Sequence, residues 1–122
     1  MEFWNDIAVD KSYKILQELG KEFDFVLIGG WGIYFLTGAL KSKDIDIIID
    51  FKELTKLKIR LGIKKNDFLK KYESKVDGAS IEIYVPYYSE FAIPPEEVLR
   101  NTIKIENFRI PRPEILLILK QQ

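Results

Sequence analysis

Two glycines and two aspartates, set close together in residues 27–50 (LIGGWGIYFLTGALKSKDIDIIID), constrain this chain more than any other feature. Asp44 and Asp46 open the apolar run Ile47-Ile48-Ile49. On a strand, residues i and i+2 share a face, so the two carboxylates are expected side by side. Held that close and half-buried, they repel each other and one is driven toward protonation. A hard divalent cation removes the conflict by taking oxygens from both. The pair therefore reads as half of a metal site. Gly29-Gly30 reads as a seat for phosphate, where backbone amides approach with no Cβ in the way.

The chemistry open to such a site is narrow. Cysteine and histidine are both absent, which removes thiolate metal sites, disulfides and the commonest general base. Carboxylates, lysines, hydroxyls and backbone amides remain. Lysine plus arginine equal aspartate plus glutamate at 19 each, so no bulk field draws in nucleic acid or membrane and any polyanion is held locally. At 122 residues and 47% apolar, the chain is expected to form a single domain, residues 1–122, with one core. No run is long enough to span a bilayer, and Glu2 and Asp6 do not suit a signal peptide. A cytoplasmic protein without membrane contact is expected.

Along the chain, residues 5–22 carry helical spacing (Ile7, Tyr13, Leu16, Leu19), with Gly20 as the stop. Residues 25–28 form a short buried strand that runs into Gly29-Gly30. Residues 33–36 suit a short helix ended by Gly38, and 44–49 a central strand. Asp50 caps a helix over 51–61 that Gly62 ends. Asp77-Gly78 joins strands 70–76 and 79–85 in a hairpin, with Glu82 off the apolar face of the second. Pro94-Pro95 opens a short helix, 103–105 and 108–110 make a second hairpin, and 113–120 a final apolar helix. The order αβαβαββαββα predicts an α/β or α+β fold with a mixed sheet.

Taken in order, Gly29-Gly30, residues 31–43, Asp44-Ile45-Asp46 and the later acid in Ser80-Ile81-Glu82-Ile83-Tyr84 resemble the nucleotidyltransferase superfamily, the DNA polymerase β-like fold. Ser42-Lys43-Asp44-Ile45-Asp46 is similar to the Thr-Lys-Asp-Ile-Asp form of small prokaryotic members, the abortive-infection (AbiEii-like) and toxin–antitoxin branches. The tail from Ile110-Pro111-Arg112-Pro113-Glu114 to Lys120 resembles the closing segment of those branches. The resemblance implies a mixed β-sheet flanked by helices and transfer of a nucleotide from a nucleoside triphosphate to an acceptor, a protein or an RNA. It implies Mg2+ in a two-metal site held by Asp44, Asp46 and Glu82, which are also the catalytic residues. It implies nucleotide contacts from Gly29, Gly30, Ser42, Lys41, Lys43 and Lys120, and work within a toxin–antitoxin or phage-defence pair.

The chain departs from that pattern in three places. Leu40 stands where many relatives carry arginine, Glu82 where aspartate is commoner, and the chain ends at Gln122 where relatives continue into a helical region. Acceptor recognition is then expected from a second subunit or another protein, as a homodimer or a partner complex through the apolar C-terminal helix. The rival reading is a catalytically inactive, antitoxin-like interaction module that keeps the fold. A generic ligand binder would require glycines distant from the acids, and a dinucleotide fingerprint fails because Phe35 occupies the third glycine position. Glu53, Glu96 and Glu97 read as solvated, and residues 64–75 as a wet lysine face rather than an RNA track. Tyr84, Tyr87 and Tyr88 read as packing before base stacking.

Overall fold

In the computed structural model, which describes residues 2–120, every strand among the described residues joins one mixed sheet. The elements are α1 (Glu2–Glu22), β1 (Val26–Ile28), α2 (Gly29–Thr37), β2 (Ile45–Ile48), α3 (Phe51–Leu61) and β3 (Lys64–Asn66), then β4 (Lys71–Val76), β5 (Ala79–Tyr84), α4 (Pro95–Arg100), β6 (Thr102–Ile105), β7 (Phe108–Pro111) and α5 (Pro113–Lys120). The sheet order is β3-β4-β5-β2-β1-β7-β6. At its centre β1 and β2 are antiparallel, while β2 pairs in parallel with β5 and β1 with β7. The expected mixed sheet between helices is what forms.

The two-residue period of the strands sorts the side chains. Leu27, Ile47, Ile83 and Tyr72 fall in one cross-strand row, and Ile45, Ile81 and Ser74 in the next. Helices α1 and α3 lie on this face. Ser74 Oγ donates to Leu61 O at 3.2 Å, Lys58 Nζ stands 5.4 Å from the Tyr72 ring centroid, and Arg60 pairs with Glu22 at 3.1 Å. Trp31, wholly buried at the start of α2, ties α2 to α1 by donating its Nε1–H to Ser12 Oγ at 2.9 Å, so a buried indole and a buried hydroxyl satisfy each other. The opposite face carries Ile28, Asp46 and Glu82 in one row.

Caps and turns follow the sequence closely. Phe51 N donates to Asp50 Oδ1 at 2.7 Å, the expected helix cap, worth about 1 kcal/mol. Asp77 (φ 48°) and Gly78 (φ 84°) make the β4–β5 turn with two positive φ values, as a primed hairpin turn requires. Glu106 (φ 53°) and Asn107 (φ 73°) do the same between β6 and β7 without glycine.

Three expectations need correction, and two features go beyond them. Gly20 does not stop α1, which continues to Glu22; a Cβ there would stand 3.0 Å from Phe108 Cε1, so this glycine serves packing. Helix α2 starts at the glycines themselves. The edge strand β3 is unannounced, since Lys-Lys-Asn has no strand signal of its own. Glu53 is buried rather than solvated, with one oxygen 3.3 Å from Lys56 Nζ and the other without a hydrogen bond. On α5, Leu116 is buried while Leu117 and Ile118 are exposed, so that helix is only half core. No helix among the described residues is long and apolar enough to cross a membrane.

Candidate active site

The glycine turn and Asp46 meet directly. β1 delivers Gly29 at the end of a buried strand, and the register sets Ile28 opposite Asp46. Gly29 has φ 64°, and a Cβ built there would stand 2.9 Å from Asp46 Cγ and run into the carboxylate. A Cβ on Gly30 would lie 2.8 Å from Ser42 Oγ. Both glycines are therefore required by close approach, one to the acid and one to the serine. A binder with glycines remote from the acids is excluded. The N-cap of α2 is Ile28, which has no side chain to satisfy the first amides, so the helix opens with donors available to an anion.

Gly29→Ala should cost more stability than Gly38→Ala in urea unfolding. Both positions have positive φ, but nothing lies within 4 Å of a Cβ at Gly38. The left-handed backbone penalty, roughly 1–2 kcal/mol, is common to the two, and the excess at Gly29 measures the contact with Asp46.

Parallel pairing of β2 and β5 puts Asp46 opposite Glu82, and antiparallel pairing of β4 puts Glu73 opposite Glu82. Three carboxylates thus stand in one row across three neighbouring strands, on one face of the sheet. Lys71, two residues from Glu73 on β4, reaches into the row. Its Nζ is 3.2 Å from Glu82 Oε2 and 4.0 Å from Glu73 Oε2, and its side chain is 13% exposed. This is a charge contact rather than a hydrogen bond, and Glu82 Oε2 is buried without a hydrogen-bond partner among the described residues. Glu73 also accepts from Asn66 Nδ2 at 3.0 Å.

The electrostatics follow from this packing. Burial, then the charges of Glu82 and Asp44, push the Asp46 carboxyl from an ordinary 3.8 up to about 6, against the pull of Lys71. Burial and then the charges of Asp46, Glu82 and Glu73 push the Tyr84 phenol upward. Asp44 lies just before β2 and is exposed. Ser42 holds it in place, Oγ donating to Asp44 O at 2.8 Å and accepting from Asp44 N at 3.2 Å. Asp44 therefore acts on Asp46 from the rim rather than from an adjacent position on a strand.

A cavity of about 360 Å³ opens beside the row. Gly29, Gly30, Asp46, Tyr84, Phe91 and Lys120 are among its walls. Tyr84 and Phe91 pack with ring centroids 4.7 Å apart and planes tilted by 50°, an apolar wall next to polar groups, the usual make-up of a small-ligand site. Lys41 and Lys43 are not brought there. They line a different cavity with Tyr34 and Leu40, and Lys41 Nζ lies 5.8 Å from the Tyr34 ring centroid. Among the described residues, no group of three or more acids is drawn close enough to form a ready metal cage. The donor set still fits a hard divalent cation, being all oxygen with one buried carboxylate oxygen undonated; at present Lys71 supplies the positive charge.

Sequence reasoning passed over Glu73 and Lys71, and the wet face expected for 64–75 fails at Lys71. A signal for both was present. Counting back from the Asp77-Gly78 turn pairs Val76 with Ala79 and hence Glu73 with Glu82.

No family model and no curated protein matches this chain. Among solved structures it is similar to a "putative nucleotidyltransferase" from Thermotoga maritima, with a TM-score of 0.69 at 12% identity, covering 88% of this chain and 81% of that one. The likeness establishes a shared fold, a nucleotidyltransferase-like mixed α/β arrangement of sheet and helices.

Proposed function

We propose that this chain is a magnesium-dependent nucleotidyltransferase that moves a nucleotide from a nucleoside triphosphate to a hydroxyl of a protein or RNA. The observation that carries the reading is the contact of the Gly29 turn with Asp46, itself in register with Glu82. On this reading a phosphate seat and a carboxylate pair stand side by side. In the reaction the acceptor hydroxyl oxygen attacks the α-phosphorus and forms the new O–P bond, the bond from the α-phosphorus to the bridging oxygen breaks, pyrophosphate leaves with its electron pair, and the hydroxyl proton passes to water. Such transfer asks mainly for position and charge neutralisation. The amides of Gly29 and Gly30 bind the triphosphate, Ser42, bonded to Asp44, positions the loop beside Gly30, Lys120 adds charge from the cavity wall, and Tyr84 with Phe91 lines the base site. Asp46 and Glu82, with Asp44 at the rim, would hold magnesium, which supplies charge neutralisation at the phosphates and activation of the attacking oxygen.

Work in a toxin–antitoxin or phage-defence pair of the AbiEii-like kind is the setting this reading carries. The exposed Leu117 and Ile118 on α5 favour a second reading, a non-catalytic partner module on the same fold. Thermal melting separates the two. With magnesium present, a nucleoside triphosphate at 100 times its Kd should stabilise the enzyme by about 2.7 kcal/mol, and without magnesium it should do little. Equal shifts with and without the metal would leave only the module.

A further inference from the structure

Two turns at the β3–β4 end of the sheet display apolar side chains to solvent. Phe68 is 92% exposed, Tyr87 79% and Leu69 53%. They are held in that position. Tyr88 Oη donates to Asp67 Oδ1 at 2.7 Å and approaches Asn66 O at 3.2 Å, which ties the turn after β5 to the turn before β4. Leu69 N donates to Asn66 Oδ1 at 3.0 Å. Lys70 (φ 56°) and Tyr87 (φ 64°) both take the left-handed backbone, a conformation that costs energy and is an outlier for a bulky residue. An aromatic ring kept in water on a strained backbone is not explained by packing.

The surroundings are cationic. Between residues 64 and 75 the chain carries Lys64, Lys65, Lys70, Lys71 and Lys75 against Asp67 and Glu73. Asp67 is taken by Tyr88 and by Lys65, whose Nζ lies 3.6 Å away. Lys65 and Lys70 stand 4.9 and 5.7 Å from the Tyr88 ring centroid. Lysine is depleted at protein interfaces, whereas flat rings among lysines suit a single strand, with bases stacked on the rings and phosphates on the ammonium groups. Lys64, opposite Glu73 in register, lines a cavity with Glu73 and Glu82 and brings one end of the patch to the acid row, while Lys65, opposite Tyr72, stands on the other face.

We infer that Phe68, Tyr87, Lys64, Lys65 and Lys70 form a docking surface for a single-stranded nucleic acid, the acceptor strand of the proposed transfer. The acceptor role rests on the nucleotidyltransferase reading, while strand binding stands without it. The test uses the whole chain with fluorescein-labelled 12-nucleotide oligo-uridine, oligo-thymidine and a duplex of equal length, without magnesium or triphosphate. Anisotropy should report binding of single strands at least tenfold tighter than duplex, with a log–log salt slope near about −2 for three phosphate contacts. RNA and DNA arms decide whether the 2′-hydroxyl is read.

Phe68→Ala combined with Tyr87→Ala should weaken binding at least tenfold. Tyr87→Gly separates binding from folding, since it relieves the backbone and should raise the melting temperature while still weakening the strand. The inference is overturned by absence of strand binding, by unchanged affinity in these variants, or by binding only to vesicles rich in phosphatidylserine. A dimer in sedimentation that the same variants abolish would assign the patch to a second copy and overturn it too. Strand binding by a protein whose melting never responds to triphosphate with magnesium would overturn the acceptor role and the catalytic reading together.

Discussion

Asp46→Asn should make the ligand-free protein more stable at pH 8, and the gain should disappear by pH 4. Folding raises the Asp46 pKa from an ordinary 3.8 to about 6, because burial and the neighbouring Glu82 and Asp44 charges disfavour its ionised form. A group raised in this way lends stability that is fully present below about pH 4 and lost as pH rises through about 6. The wild type therefore carries a penalty at pH 8, of order 2–3 kcal/mol for a shift of about two units. Asparagine never ionises and escapes most of it, less the cost of burying an amide. Melting curves at pH 8 should rise by roughly 4–10 °C in the variant. The same substitution should remove the response to triphosphate with magnesium. Such a gain in stability with a loss of ligand response is the signature of a strained functional carboxylate. A variant that unfolds would make Asp46 a structural acid.

Lys71→Met should act in the opposite direction. It takes away the ammonium that, among the described residues, touches Glu82 and Glu73 and pulls against the rise at Asp46. Breaking a fully buried pair costs about 3–5 kcal/mol, and the Glu82 side chain is 22% exposed, so a loss of about 1–3 kcal/mol in urea unfolding at pH 8 is expected. Adding Glu82→Gln should recover part of the loss, with a coupling of about 1–2 kcal/mol in the double-mutant cycle. Millimolar magnesium should stabilise the Lys71 variant more than the wild type, because the ion then meets an acid row with no resident cation. Additive effects in the cycle and equal magnesium shifts would assign Lys71 to the surface.

The fold was legible where local chemistry is strong. Asp50 before a helix and Asp77-Gly78 between alternating strands have few alternatives. The isoleucines of β2 are buried on both faces, so its central place could be read from an apolar run. At the site, Gly29-Gly30, Asp46 and Glu82 were readable as types in sequence order, and the structure brings them together. Lys71 and Glu73 were not read because their meaning lies across strands. On their own strand they resemble any exposed alternation, and only the register with Glu82 gives them a role. Lys41 and Lys43 are implied as nucleotide contacts by the resemblance alone. They line a cavity with Tyr34 and Leu40, apart from the glycine cavity. Lys120, far away in sequence, is carried to that cavity by α5.

The account stands on Asp46 and Glu82 acting together beside the glycine turn. Manganese binding followed by electron paramagnetic resonance, with a non-hydrolysable triphosphate present, tests it most directly. Wild-type protein should bind manganese with the nucleotide, and Asp46→Asn and Glu82→Gln should each weaken that binding at least tenfold while remaining folded. Equal manganese binding by all three proteins would contradict it.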